Sequence, residues 1–327
     1  MSVDKKLKNT LYDKEERYKW KGVPVMDNSI EIKKLNKFYG RKKQALSNVS
    51  LTIGQGMFGL LGRNGAGKTT LMKTIATLLP KQSGSITVCG IPIENAKAIR
   101  QIIGYLPQDF SMYPSMSVRE AMDYLGVLSG IAAGERRARI EMLLGKVNLT
   151  GYEKKKVRAL SGGMKRRLGI AQALLNDPAV LIVDEPTAGL DPEERIRFRN
   201  LLCDVAQERI VILSTHIVGD IEAACEKLAI LDQGSILYCG TVSDLLDTAR
   251  GKVFSRTVDK RDLPVLKKEY NVIGMHSQKD KTCIRFLSDR PSPDAESCEP
   301  NIEDAYMLYL WNHGAVAEPI GGEEACF

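Results

Sequence analysis

The run Gly62-Arg63-Asn64-Gly65-Ala66-Gly67-Lys68-Thr69 constrains this chain more than any other stretch. Its spacing is G-x-x-x-x-G-K-[ST], the pattern of a phosphate-binding loop. Glycine lets successive backbone N–H groups turn inward around one anion without a Cβ in the way. An apolar strand pattern, Met57-Phe58-Gly59-Leu60-Leu61, precedes the loop. A helical pattern from Gly67 through Leu79 follows it and is ended by Pro80 and Ser83-Gly84. A helix starting there aims the positive end of its dipole at the same phosphate. Lys68 is placed to reach the β- and γ-phosphates, and the Thr69 hydroxyl to hold Mg2+. Chance produces the pattern in roughly one chain in a hundred of this length. The strand–loop–helix context makes a mere glycine-rich turn the weaker reading.

The surrounding pattern is α/β. Ile30-Glu31-Ile32, Val49-Ser50-Leu51-Thr52-Ile53 and Ser85 to Val88 read as short strands. Ala179-Val180-Leu181-Ile182-Val183 is a continuous apolar run, which fits a strand buried on both faces of a parallel sheet, and Ile210-Val211-Ile212-Leu213 is a second. Leu228 to Leu231 and Ser235 to Tyr238 read as a hairpin turned by Asp232-Gln233-Gly234. Residues from about 96 to 176 read as mostly helical, broken at Leu106-Pro107-Gln108-Asp109. Beyond about Arg250 the texture changes. Strands are expected at 253–258, 272–276 and 282–287, helices at 263–270 and 301–312, with a Pro/Ser-rich loop from Asp289 to Pro300. The expected organisation is a charged extension over 1–28, a main domain over 29–245 with a helical subdomain at about 96–176, a small α+β domain over 250–313, and a loose tail over 314–327. No internal repeat is visible.

The 327 residues are 43% hydrophobic and 27% charged, ordinary for a soluble globular protein. No apolar run approaches the ~18–20 residues needed to cross a bilayer. The first residues are charged throughout and lack the apolar core of a signal peptide, so a cytoplasmic location is expected. The seven cysteines are scattered, odd in number and without a C-x-x-C pair, which favours reduced thiols over disulfides or zinc. The net charge of +7 includes three short basic clusters, Arg41-Lys42-Lys43, Lys154-Lys155-Lys156 and Lys165-Arg166-Arg167. The first two read as solvated surface. Aromatics make up only 6% and do not interleave with basic runs, so no nucleic-acid partner is expected.

Two further features complement the loop. Asp184 follows the apolar run directly, at the carboxyl end of a parallel strand where a site acid belongs, and would hold Mg2+ through water. Glu185 comes next, on the opposite face by strand period, and a carboxylate there can orient and polarise an attacking water. Alone, such a pair is a solvated strand end; beside the loop, the functional reading wins. Leu160-Ser161-Gly162-Gly163-Met164 opens a helix with Ser161 as N-cap, and Gly162 and Gly163 leave backbone N–H groups bare. That combination makes a second anion site, with Lys165-Arg166-Arg167 adding positive field; the bland alternative is an ordinary capped helix. Met164, Leu168, Ala171 and Leu175 fall at helical spacing and read as core.

With these residues in hand, the chain resembles the ATP-binding subunits of ABC transporters. Leu160 to Met164 is similar to the family signature L-S-G-G-Q, with Met164 in place of glutamine, an exchange that touches only a peripheral nucleotide contact. The remaining motifs follow in the family order over about residues 29–245. Tyr39 resembles the aromatic that stacks on adenine. Gly62, Asn64, Gly65, Gly67, Lys68, Thr69 and Thr70 match the nucleotide-binding loop and its helix, with Arg63 facing outward where proline is common. Gln108, after Gly104-Tyr105-Leu106-Pro107, resembles the Q-loop glutamine that touches Mg2+ and the water. Ala188-Gly189-Leu190-Asp191 resembles the D-loop, and His216 the switch histidine that contacts the γ-phosphate. Without this context Tyr39 and His216 would read as core residues; His276 and His313 have no such context and read as structural. Gly59-Leu60-Leu61-Gly62, Ile103 to Gln108, Tyr113-Pro114 and Asn301 to Tyr306 resemble the exporter branch that includes drug, antibiotic and bacteriocin-immunity transporters.

The resemblance implies a P-loop NTPase core of ABC type: a mostly parallel sheet, an antiparallel β part and a helical subdomain, followed by the small α+β domain. It implies ATP hydrolysis with Mg2+ held by Thr69, Gln108 and Asp184, and catalysis by Glu185, His216 and Gln108. ATP on one subunit would be capped by Ser161, Gly162 and Gly163 of a second, and a second copy of this chain can serve because every expected site residue is intact. The implied partner is a polytopic membrane permease on a separate chain, docking near Gln108 to Leu125 with Phe110, Met112 and Tyr113 as exposed contacts and holding the protein at the inner face of the cell membrane; the other reading of these three residues is core of the helical subdomain. Three other readings are weaker. DNA-repair and chromosome-condensation ATPases need a long coiled coil, and Thr70 to Leu160 has no sustained heptads. Translation-factor ATPases carry two such units in one chain. Small-molecule kinases lack Ser161-Gly162-Gly163.

Overall fold

The computed structural model describes residues 28–40, 43–278 and 280–314. Nearly all of the expected N-terminal extension, the Arg41-Lys42 part of one basic cluster, Cys326 and most of the expected tail lie outside the described residues. In chain order the first elements are β1 (Ile30–Tyr39), β2 (Lys43–Ile53), β3 (Gly56–Leu61), α1 (Lys68–Ile75), β4 (Ser83–Val88), β5 (Ile91–Pro92), α2 (Ala96–Ile102) and β6 (Ile103–Leu106). Then come α3 (Val118–Leu128), α4 (Ala133–Lys146), α5 (Gly162–Leu174), β7 (Val180–Asp184), α6 (Pro192–Ala206), β8 (Ile210–Thr215) and α7 (Val218–Ala224). The remainder is β9 (Lys227–Asp232), β10 (Ser235–Thr241), α8 (Val242–Asp247), β11 (Val253–Asp259), α9 (Leu263–Glu269), β12 (Asn271–Gln278), β13 (Lys281–Leu287), β14 (Glu296–Ser297) and α10 (Ile302–Asn312).

The chain divides into two compact units, one drawing on the stretch to Phe58 and Gly67–Ser214, the other on Gly59–Ala66 and Thr215 onward. In the first, an antiparallel sheet has the order β2-β1-β4-β5. Ile30 and Ile32 face Ile53 and Leu51 across β2, and all four are buried. Strands β7 and β8 pair in parallel, Val180↔Ile210 through Asp184↔Ser214, and every residue of β7 is buried. That two-sided burial is why the run shows no polar alternation.

Ile103–Leu106 departs from the sequence expectation of helix: it is strand β6, in parallel register with β7 from Ile103↔Val180 to Leu106↔Val183. Pairing with a buried neighbour, not local propensity, makes this strand. Gly104 permits it, because a Cβ there would stand 2.2 Å from the Ala173 carbonyl oxygen. Helix α3 starts with a reciprocal capping box in which Ser117 Oγ accepts from the Glu120 N–H (3.2 Å) and the Glu120 carboxylate from the Ser117 N–H (2.7 Å).

In the second unit β9 and β10 form the expected hairpin, Ser235↔Asp232, with Gln233 (φ 44°) and Gly234 (φ 81°) both left-handed at its two-residue turn. A four-stranded antiparallel sheet follows, in the order β12-β13-β11-β14. Its core is Phe254, Val258, Leu266, Val272, Ile284 and Phe286. Strand β14 lies within the expected Pro/Ser-rich loop and pairs Phe254↔Ser297; two residues are too few to show a period in sequence. Helix α10 begins with a second capping box, Asn301 and Asp304. Asp304 is 3% exposed and also receives Arg285 Nε at 3.0 Å. Removing one partner of such a buried pair strands the other charge. Asp304→Ala is expected to destabilise the C-terminal elements by about 2–4 kcal/mol, read as a lower urea midpoint by a fluorescence probe at Trp311.

Candidate functional site

The glycine-rich turn begins where β3 ends. A Cβ on Gly62 would stand 2.2 Å from the Leu231 carbonyl oxygen, so only glycine fits. Gly65 (φ 83°) and Gly67 (φ 111°) are left-handed. The Ala66 N–H donates to the Arg63 carbonyl at 3.1 Å, and the Gly234 N–H donates to the Ala66 carbonyl at 2.8 Å. Arg63, Asn64 and Gly65 are exposed. Helix α1 has no side-chain cap and no acidic residue in its first turn, which leaves its positive end suited to an external anion. Thr69 is half-buried there. Tyr39 ends β1, is 44% exposed and sets its hydroxyl 3.3 Å from Thr70 Oγ1. The ring is thus exposed beside the loop helix and is not part of the core.

Lys68 is buried, and its Nζ lies 3.2 Å from Glu185 Oε1 with both side chains 6% exposed. Strand period alone would send Glu185 to the face opposite Asp184. The backbone differs: Glu185 is left-handed, φ 47°, a strained conformation for a non-glycine residue. It leaves the strand and brings the carboxylate to Lys68. The conformation is held at Ser214, whose carbonyl and Oγ accept from the Glu185 N–H at 3.1 and 3.2 Å. Ser214 Oγ in turn donates to Asp184 Oδ1 at 2.7 Å. Asp184 is 1% exposed, and its Oδ2 is buried without a hydrogen-bond partner, as is the Tyr105 hydroxyl of β6. Burial, then the Asp184 carboxylate beside it, raise that hydroxyl above the usual phenol range.

Gln108 follows β6, exposed, and its backbone carbonyl accepts from Arg166 Nη1. Ser161 caps α5 as expected, accepting from the Met164 N–H at 3.2 Å, and Ser161 and Gly162 are exposed. Gly163 is buried against Glu194, which a Cβ would meet at 2.6 Å. Leu168, Ala171 and Leu175 are core, with Met164 half-buried. The positive field expected from Lys165-Arg166-Arg167 is largely spent inside the fold. Arg167 is buried, donates to the Val147 and Asn148 carbonyls at 3.1 and 3.2 Å, and pairs with Glu194 at 3.3 Å. A sequence cluster does not reveal which of its members find internal acceptors. Asp191 of the D-loop-like segment caps α6, accepting from the Glu194 N–H at 2.8 Å. His216 is exposed, immediately after β8. His276 and His313 are both exposed, and His313 stacks on Tyr309 at 5.5 Å. Of the three expected exposed docking residues only Tyr113 is exposed; Phe110 is half-buried, and Met112 is buried instead, as part of the core.

Sequence reasoning named Lys68, Asp184 and Glu185 but missed Ser214, which joins the two acids. Its only signal was its place in Ser214-Thr215-His216, read for the histidine alone.

Residues 46–188 match the ABC transporter family. The linearmycin resistance ATP-binding protein LnrL of Bacillus subtilis is 38% identical over 226 residues, 68% of this chain and 72% of that one. The chain belongs to the ABC transporter ATP-binding proteins. An uncharacterised ABC transporter ATP-binding protein of Synechocystis is 33% identical over 312 residues, 89% of this chain and 87% of that one. Among solved structures the dimeric ABC transporter cassette MJ0796 has a TM-score of 0.60 at 25% identity, covering 65% of this chain and 98% of that one. The same cassette is known as a post-hydrolysis dimer with ADP and Pi. The protein is thus an ATP-binding ABC subunit and an ATP hydrolase. Within it, Ser214 holds the Asp184 carboxylate and the Glu185 backbone at once. Ser214→Ala is expected to lower the turnover number about 10–100-fold with an unchanged circular dichroism spectrum, measured as phosphate release at saturating ATP.

Proposed function

We propose that this subunit drives an exporter through a separate membrane-spanning permease, working as a dimer that closes over two ATP molecules. The observation that carries the catalytic part is the buried Lys68–Glu185 pair set beside an unpartnered Asp184 oxygen. The residues fit a divalent cation: a buried carboxylate oxygen without a donor suits a hydrated cation, and a glycine-lined turn suits the phosphates it accompanies. Thr69, Asp184 and Gln108 would hold Mg2+, which when bound neutralises charge on the β- and γ-phosphates. The protein itself supplies positioning and charge. The turn from Gly62 to Thr69 and the uncapped start of α1 bind the phosphates, and Thr70 and Tyr39 flank them. Lys68 has three donors and can serve the terminal phosphate as well as Glu185. Glu185 orients and polarises the in-line water, and His216 contacts the γ-phosphate. Exposed Ser161 and Gly162, with Gly163, cap the nucleotide of the second subunit.

The permease reading rests on a groove of about 570 Å3 lined by Pro107, Phe110, Met112, Tyr113 and Leu125 next to Gln108. Tyr113 and Tyr124, both exposed, pack edge to face at 5.2 Å beside it. No helix among the described residues is long and apolar enough to cross a membrane, which fits a spanning partner on another chain and a position at the inner membrane face. The export direction is supported by relatives named for linearmycin resistance and, in Cupriavidus pinatubonensis, for Nod factor export, the latter 38% identical over 232 residues. Glu185→Gln is expected to bind ATP, accumulate as a dimer by light scattering, and hydrolyse about 10²–10⁴-fold more slowly. Turnover at the unmodified rate would remove Glu185 from this role.

A further inference from the structure

The Tyr105 hydroxyl and Asp184 Oδ2 are two buried polar atoms without hydrogen-bond partners, and both belong to the first unit. Such atoms are rare in folded proteins and call for a reason. They sit on adjacent strands: Tyr105 pairs with Ile182 in the parallel register of β6 and β7, and Asp184 lies two residues beyond Ile182. Two residues restore the same face of the pleat, so Tyr105, Ile182 and Asp184 share one side of the sheet. The other oxygen of Asp184 is already fixed by Ser214 at 2.7 Å. A carboxylate held at one oxygen alone can still rotate and tilt.

We propose that Tyr105 is a positioning residue for Asp184, its hydroxyl steering Oδ2 so that the carboxylate presents one fixed orientation to the water shell of a divalent cation. The inference rests on the nucleotide and cation reading given above and deepens it. Tyr105 also stands three residues before Gln108, whose backbone Arg166 holds. Strand β6 therefore carries the group that orients one cation contact and leads directly into the segment that carries the other.

Tyr105→Phe removes only the hydroxyl and keeps the ring, so packing and folding are retained. The test is a Mn2+ titration of the full chain with a non-hydrolysable ATP analogue, followed by the electron paramagnetic resonance signal of free Mn2+. Mn2+ affinity is expected to fall about tenfold in Tyr105→Phe, while binding of the analogue without metal stays the same. Unchanged or tighter Mn2+ binding in the variant overturns the role of Tyr105. If the unmodified protein itself adds nothing to the Mn2+ binding of the analogue alone, the cation reading fails instead, and the two failures are distinct.

Discussion

A buried ammonium facing a buried carboxylate, Lys68 against Glu185 at 3.2 Å, is the interaction on which the candidate site is arranged. Two charges out of water are tolerated only when each is matched. Matching these two requires a lysine at the start of a helix and a glutamate turned out of the strand period. The glycine turn supplies the first, because Gly62 must approach the Leu231 carbonyl where no side chain fits. The left-handed backbone of Glu185, held by both oxygens of Ser214, supplies the second. Each ion makes the burial of the other tolerable, so the start of α1 and the end of β7 are tied together.

The parallel strands serve this end. β7 is buried on both faces and ends on Asp184, and Ser214 near the end of β8 pairs with it. The sheet thus delivers two acids and the hydroxyl that binds them to one edge, as expected at the carboxyl ends of parallel strands. Helix α5 contributes differently. Its exposed N-cap Ser161 is available to a partner, while its Arg166 and Arg167 are turned inward to loop carbonyls and Glu194.

Much of this was legible in the residues. The continuous apolar runs marked β7 and β8 because burial on two faces removes polar alternation. The loop spacing marked the turn because only glycine allows it. Other features were not legible, for physical reasons. β6 is four residues long inside a helical pattern and exists because β7 pairs with it. The direction of Glu185 depends on one left-handed residue, which strand period cannot foresee. Ser214 and Tyr105 act through neighbours far away in the chain, so no local spacing announces them.

The central claim is that the Lys68 ammonium, held in the glycine turn, binds the terminal phosphates of ATP. Calorimetric titration of Mg-ATP into the unmodified chain and into Lys68→Ala, each shown folded by circular dichroism, tests it most directly. The expected result is saturable binding that weakens by about 100-fold on loss of the charge-assisted contacts. Equal affinity in the two proteins would contradict the account.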